Sequence, residues 1–119
     1  MILVDTSVWV DHLRSGSSRL LDLLNKGEVL VHPFILGELS LGNPRNRTQI
    51  LDLLSKLPEL PIAEHSEVMA LVDNRRLYGG GIGRVDVHLI ASALLAHVGL
   101  LTNDKALQRA TRIAGVFAC

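Results

Sequence analysis

The sequence predicts an α/β domain in which a central, mostly parallel β-sheet is flanked by helices, a three-layer sandwich. Three observations carry this expectation. Short runs of Val, Ile and Leu alternate with segments of helical periodicity. Capping or turn residues fall at almost every junction between them. Of the 119 residues, 48% are hydrophobic, enough for one core, so residues 1–119 are read as a single domain. Parallel strands need crossovers, normally helical, so the alternation itself argues for parallel pairing.

Ile2-Leu3-Val4 is a β-prone run that stops at Asp5-Thr6-Ser7, where a helical pattern with Val8, Trp9 and Leu13 begins. Ser15-Gly16-Ser17-Ser18 breaks that helix and caps a second one carrying Leu20, Leu21, Leu23 and Leu24, which ends at Asn25-Lys26-Gly27. Val29-Leu30-Val31 reads as a buried strand. Pro33 stands where helices begin, and the helix runs to Leu41 before Gly42-Asn43-Pro44. A helix from Arg47 to Leu57 follows, then a short extended piece at Leu60-Pro61-Ile62. Ser66 is read as the cap of a helix through Met69, Leu71, Val72 and Leu77. Gly79-Gly80-Gly81-Ile82-Gly83, four glycines in five residues, is a loop near the site. Asp86 is read as the N-cap of a strongly apolar, central helix ending near Gly99. Leu100-Leu101-Thr102 is a strand, Asn103-Asp104 a turn, Lys105 to Ala114 a helix, and Val116-Phe117-Ala118 a last strand.

Composition excludes several functions. Apolar runs are interrupted well before the ~20 residues of a membrane span, despite a mean hydropathy of +0.31. The N-terminus has no basic start, long apolar stretch or cleavage site, so no export signal is expected. A lone Cys119 fits neither a disulfide framework nor a cysteine-rich zinc site, which makes a reducing, cytoplasmic setting the default. Twelve basic residues balance twelve acidic ones, so the globally basic surface of many nucleic-acid binders is absent. The histidines (12, 32, 65, 88 and 97) contain no helical zinc spacing.

Four acids stand out. Asp5 and Asp104 follow strands, and in parallel sheets ligands collect outside the carboxyl ends of strands. Each is equally readable as a turn or capping residue, and Asp86 as a cap placed at a helix N-terminus. Glu38 is different. At 100° per residue from Phe34, it falls at about 40°, between Phe34 and Ile35 on the apolar arc. A carboxylate buried there is costly unless paired or bound to a metal. Metal ligation is therefore placed ahead of a salt bridge to an arginine. Several carboxylates suit Mg²⁺ or a similar hard cation, which can activate water without a nucleophilic side chain.

Met1 to Trp9, the helical Gly37-Glu38-Leu39, the run Gly83 to Ala93 with Arg84-Val85-Asp86, and Leu101-Thr102-Asn103-Asp104-Lys105 resemble, in order and spacing, the motifs of PIN-domain nucleases. The resemblance is closest to the VapC toxins of toxin–antitoxin pairs and spans essentially the whole chain. It implies a PIN-like sandwich, Mg²⁺ or Mn²⁺ at the carboxylates, and endonucleolytic cleavage of RNA. It also implies a homodimer held inactive by a VapB-like antitoxin. Asp5, Glu38, Asp86 and Asp104 match the family's acidic quartet, with Asp5 and Asp86 as direct metal ligands. Thr6 or Ser7 matches the hydroxyl that orients the first Asp, and Thr102 a supporting hydroxyl.

Nine of the twelve basic residues are Arg, the residue suited to bidentate phosphate contact. With few aromatics for base stacking, RNA recognition is expected to lean on shape and phosphates. Arg45, Arg47, Arg75, Arg76 and Arg84 are the candidate phosphate contacts, against ordinary solvated charges as the alternative. Two rivals are a PIN-like scaffold that binds without catalysis and a Mg²⁺-binding phosphoacceptor domain. The latter needs adjacent N-terminal acids, where this chain has one Asp5 at its first strand end.

Overall fold

The computed structural model describes all 119 residues. The first apolar run forms β1 (Ile2–Val4), the centre of a three-stranded sheet of order β2-β1-β3, with β2 at Val29–Leu30 and β3 at Gly99–Leu101. Both pairings are parallel, Ile2 standing opposite Val29 on one side and Gly99 on the other. The sheet is thus wholly parallel. Single parallel bridges widen it at each edge, Val31 to Glu59 and Leu100 to Ala118. The expected extended piece at Leu60-Pro61-Ile62 forms no strand and gives only the Leu60 N–H to Val31 beside the first of these, and the expected last strand at Val116-Phe117-Ala118 contributes only the second. Proline supplies no N–H to a ladder, which limits the first.

Helices fill every crossover: α1 (Thr6–Ser15) and α2 (Ser18–Asn25) between β1 and β2; α3 (Pro33–Ser40), α4 (Arg47–Ser55), α5 (His65–Arg75) and α6 (Arg84–Ala96) between β2 and β3; and α7 (Lys105–Ile113) beyond it. The apolar helix α6 is central as expected, with Val87 to Ala93 all buried. Leu3, Trp9, Leu20, Ile35, Leu54, Leu89, Ile90, Leu100 and Leu107 form the innermost core.

Two helix starts differ from the sequence reading. Ser66 does not cap α5: Glu64 is the N-cap, and the Glu67 side chain reaches back to the Glu64 N–H at 2.9 Å, so the helix begins two residues earlier than a serine cap allows. Asp86 does not N-cap α6 either. Gly83 holds that position, and Asp86, three residues in, accepts the Gly83 N–H at 3.0 Å. The carboxylate still serves the helix start, from the first turn rather than from the cap.

A buried polar relay ties α3 to α6. His32, fully buried, accepts the Phe34 N–H at Nδ1 (3.0 Å), which leaves its proton on Nε2 to be donated to Ser92 Oγ (3.1 Å). Ser92 in turn donates to the Pro61 carbonyl (2.8 Å). Burial, with the nearby His88, lowers the His32 pKa from 6.5 to about 4. Below pH 6.5 the unfolded chain therefore takes up a proton that the folded chain refuses, and stability falls as pH drops toward 4, by roughly 3 kcal/mol at most. Urea midpoints at pH 7.5 and pH 5 are expected to show this fall. The slope should be shallower in His32→Asn, with His88, also held low by burial, keeping a remainder.

Gly99 admits the C-terminal segment. A Cβ there would lie 2.9 Å from Cys119 Sγ and 3.2 Å from the Phe117 carbonyl oxygen. Gly99→Ala is expected to cost about 1–3 kcal/mol and to raise the reactivity of the half-buried Cys119 thiol toward a disulfide reagent. Adding Cys119→Ala should recover only part of the loss, because the Phe117 contact is backbone.

Candidate active site

Asp5 leaves β1 at the centre of the sheet and caps α1 from there. It is 7% exposed, and three hydrogen bonds converge on one of its oxygens. Oδ2 accepts from Thr102 Oγ1 (2.7 Å), Ser7 Oγ (2.8 Å) and, more weakly, the Ser7 N–H (3.4 Å). Both hydroxyl protons are thereby committed, and the hydroxyl oxygens act as acceptors: Thr102 Oγ1 receives the Asp104 N–H (3.0 Å) and Ser7 Oγ the Asn103 N–H (3.0 Å). Asp5 Oδ1 has no protein partner.

The other acids repeat the pattern. Asp104 N-caps α7 through Oδ1, which accepts the Leu107 N–H at 3.1 Å, and its Oδ2 is unpartnered. Asp86 spends Oδ2 on Gly83 and leaves Oδ1 free. Glu38 accepts Thr6 Oγ1 at 3.0 Å through Oε1 and leaves Oε2 free. Capping and cation binding are therefore not alternatives at these positions. One oxygen fixes the side chain and the other remains available.

Charge shows which acids share a neighbourhood. Burial pushes the Asp86 carboxyl above its ordinary range, and the negative charges of Asp5 and Asp104 push it further, against the Gly83 N–H that stabilises the anion. The only ion pairs in the chain, Lys26–Asp22 and Lys56–Asp52, are exposed pairs one helical turn apart and involve none of the four acids. Asp5, Asp86 and Asp104 are thus mutually repelling carboxylates without a basic partner, the donor set that a hard divalent cation takes, while Glu38 is not among the charges acting on Asp86. The side chains fit such an ion by chemistry, although no three of them stand at ready-made ligand spacing.

Glu38 is exposed and not buried on an apolar arc. Only Ile35 and Leu39 of α3 are buried; Phe34 meets the His88 ring edge-on, Leu36 packs partly against the core, and Glu38 lies on a cleft of about 410 Å³ between α1, α3 and the start of α4. Thr6, Glu38, Arg14, Arg45 and Arg47 are among its lining residues. The salt bridge weighed for Glu38 is replaced by the Thr6 hydroxyl.

The arginines divide. Arg45 lies on the cleft beside Glu38, and exposed Arg84 opens α6 two residues before Asp86. Arg47 holds the Ser40 carbonyl through Nε (3.0 Å) and Nη2 (2.6 Å), joining α4 to the end of α3. Arg75 lies near Gly115, and Arg76 shares a small cleft with Arg109 against α7. Asn103 and Asp11 went unnoticed in the sequence: Asn103 Nδ2 donates to Asp11 Oδ2 at 2.6 Å. Only the placement of Asn103 between Thr102 and Asp104 hinted at this.

A parallel sheet with an acid at the end of its central strand, a second acid capping the helix after β3, and a third in the first turn of α6 defines a class. The sequence profile of the PIN domain matches residues 2–113, and the chain belongs to the PIN-domain family. The solved structures agree on the fold: FitAB bound to IR36 DNA fragment superposes with a TM-score of 0.74 at 21% identity, covering 100% of this chain and 94% of that one. PAE2754 from Pyrobaculum aerophilum follows at 0.68 and 18% identity, covering 98% of this chain and 82% of that one. Within the family the branch is VapC: the chain is 47% identical over 117 residues to Ribonuclease VapC32 of two Mycobacterium tuberculosis strains, covering 98% of this chain and 94% of the relative. No helix is long and apolar enough to cross a membrane.

Proposed function

We propose that the chain is a metal-dependent endoribonuclease, the toxin of a VapBC-type pair, working in the cytoplasm. The observation that carries this is the carboxylate geometry: each acid is anchored through one oxygen, keeps the other free and has no basic partner. RNA as the substrate rests on the relative named Ribonuclease VapC32. Asp5 and Asp86 are the direct ligands of Mg²⁺ or Mn²⁺, with Glu38 and Asp104 completing the set. The ion, when bound, supplies activation of water and stabilisation of charge on the phosphate. Ser7 and Thr102 aim Asp5, and Thr6 aims Glu38. Arg45 and Arg84 hold the phosphates flanking the scissile bond, while Arg47, Arg75 and Arg76 serve the track more remotely. A VapB-like antitoxin restrains the enzyme, and the chain pairs as a homodimer.

Purified protein with Mn²⁺ is expected to cut a circular RNA, which offers no ends, and EDTA to stop the cutting. A circle that survives Mn²⁺ while a linear RNA is trimmed from its ends would sink the endonuclease assignment. Glu substitution of Arg45 and Arg84 together should weaken RNA binding at low salt, about tenfold or more, and flatten its salt dependence; unchanged affinity would remove both from the phosphate track.

A further inference from the structure

We infer that Asp11, acting through Asn103, is a positioning residue that sets the loop carrying Thr102 and Asp104 against α1. This rests on the functional reading above. Ser7 and Asp11 are one turn apart on α1, on the same face, and both engage Asn103: its N–H donates to Ser7 Oγ at 3.0 Å and its Nδ2 to Asp11 Oδ2 at 2.6 Å. The amide orientation is unambiguous, because a carboxylate can only accept.

The position of this bond in the network gives it its role. Ser7 Oγ and Thr102 Oγ1 each give their proton to Asp5 Oδ2, so every other side-chain tie between α1 and the loop, the Asn103 N–H to Ser7 Oγ bond included, runs through a hydroxyl bonded to that one oxygen. The Asn103–Asp11 bond joins the two elements without Asp5 or a hydroxyl bonded to it. It fixes Asn103 from the side chain while the backbone N–H of Asn103 orients Ser7, and the next residue's N–H orients Thr102. Without it, drawing Asp5 toward a cation strains the same bonds that hold Asp104 in place. With it, the loop stays where it is while Asp5 changes partners. A charge-assisted bond of this length is among the stronger neutral-to-charged contacts, and partners behind a metal ligand commonly govern affinity by tenfold or more.

The test measures Mn²⁺ affinity, by the electron paramagnetic resonance signal of the free ion, and steady-state cleavage of a short RNA. Asp11→Ala and Asn103→Ala are each expected to weaken Mn²⁺ binding about tenfold and to lower kcat with KM for RNA unchanged. The double variant should be no worse than either single one, because the two residues act as a unit. Asp11→Asn keeps an acceptor oxygen for Asn103 and should recover most of the affinity. Single variants within twofold of wild type, losses that add in the double variant, or an Asp11→Asn as impaired as Asp11→Ala would each overturn the inference. The last would mean that the charge of Asp11, and not its bond, matters. A wild-type protein that neither binds Mn²⁺ nor cleaves RNA overturns the functional reading and this one with it. Wild-type binding with unaffected variants overturns this one alone.

Discussion

Asp5→Asn is expected to abolish RNA cleavage while leaving the fold intact. An asparagine at this position can still accept Thr102 and Ser7 through its carbonyl oxygen, so the three bonds that orient the side chain survive. What disappears is the charge of the proposed direct ligand, and with it several kcal/mol of metal-dependent stabilisation, equivalent to a rate loss of at least ~10³-fold. Stability should move the other way. Asp5 contributes to the repulsion that holds the Asp86 carboxyl high, so its neutralisation relieves the metal-free cluster. Thermal unfolding in EDTA is expected to give a melting temperature equal to or above that of wild type, and Mn²⁺ to stabilise wild type far more than the variant. Undiminished cleavage by Asp5→Asn would falsify the assignment of this residue as a ligand.

Thr102→Val carries the largest expected loss of stability among the site residues. The side chain is 3% exposed, and valine fits its volume. Yet the change removes the donor at 2.7 Å from Asp5 and leaves the Asp104 N–H without its acceptor. Loss of a bond to a charged group together with an orphaned amide amounts to about 2–4 kcal/mol, or a fall in melting temperature on the order of 10 °C. Thr102→Ser, which restores both roles, should recover most of it. Because the same hydroxyl orients Asp5 and positions Asp104, cleavage should fall in Thr102→Val even at temperatures where the variant is fully folded. A variant as stable as wild type would mean that the two bonds contribute little, and the orienting role would fall with them.

The elements were legible where periodicity and punctuation agreed. Ile2-Leu3-Val4, the Ser17-capped second helix and the buried stretch around Leu89 all follow from local pattern. At both misplaced starts, Ser66 and Asp86, an acid in the first turn, Glu67 or Asp86 itself, reaches back to the N–H of the true cap. A side chain that reaches back from the first turn leaves the same type of residue near a helix start as a true cap does, offset by two or three positions. The acids themselves were visible, but the free second oxygen of each was not, since a one-dimensional reading treats capping and ligation as rivals when a carboxylate has two oxygens. Glu38 was singled out by a wheel that assumes one buried face. An eight-residue helix with only Ile35 and Leu39 buried has no continuous buried arc, and the glutamate is exposed on a cleft. The contacts of Asp5 with Thr102, and of Asp11 with Asn103, span more than ninety positions and leave no periodic trace.

That separation matters while the protein is being made. β1 is the central strand, so its residues must wait for both neighbours, Val29 on one side and Gly99 on the other. Asp5 does not meet its Thr102 donor until 97 further residues have been added. Such distant pairing is slow to close, because loop entropy must be overcome before the contact returns anything. Asp104 arrives later still. From the making of β1 until the loop after β3 is made, the nascent chain therefore holds Asp5 and Asp104 apart, and under the proposed assignment of these acids competence to cut cannot precede that loop.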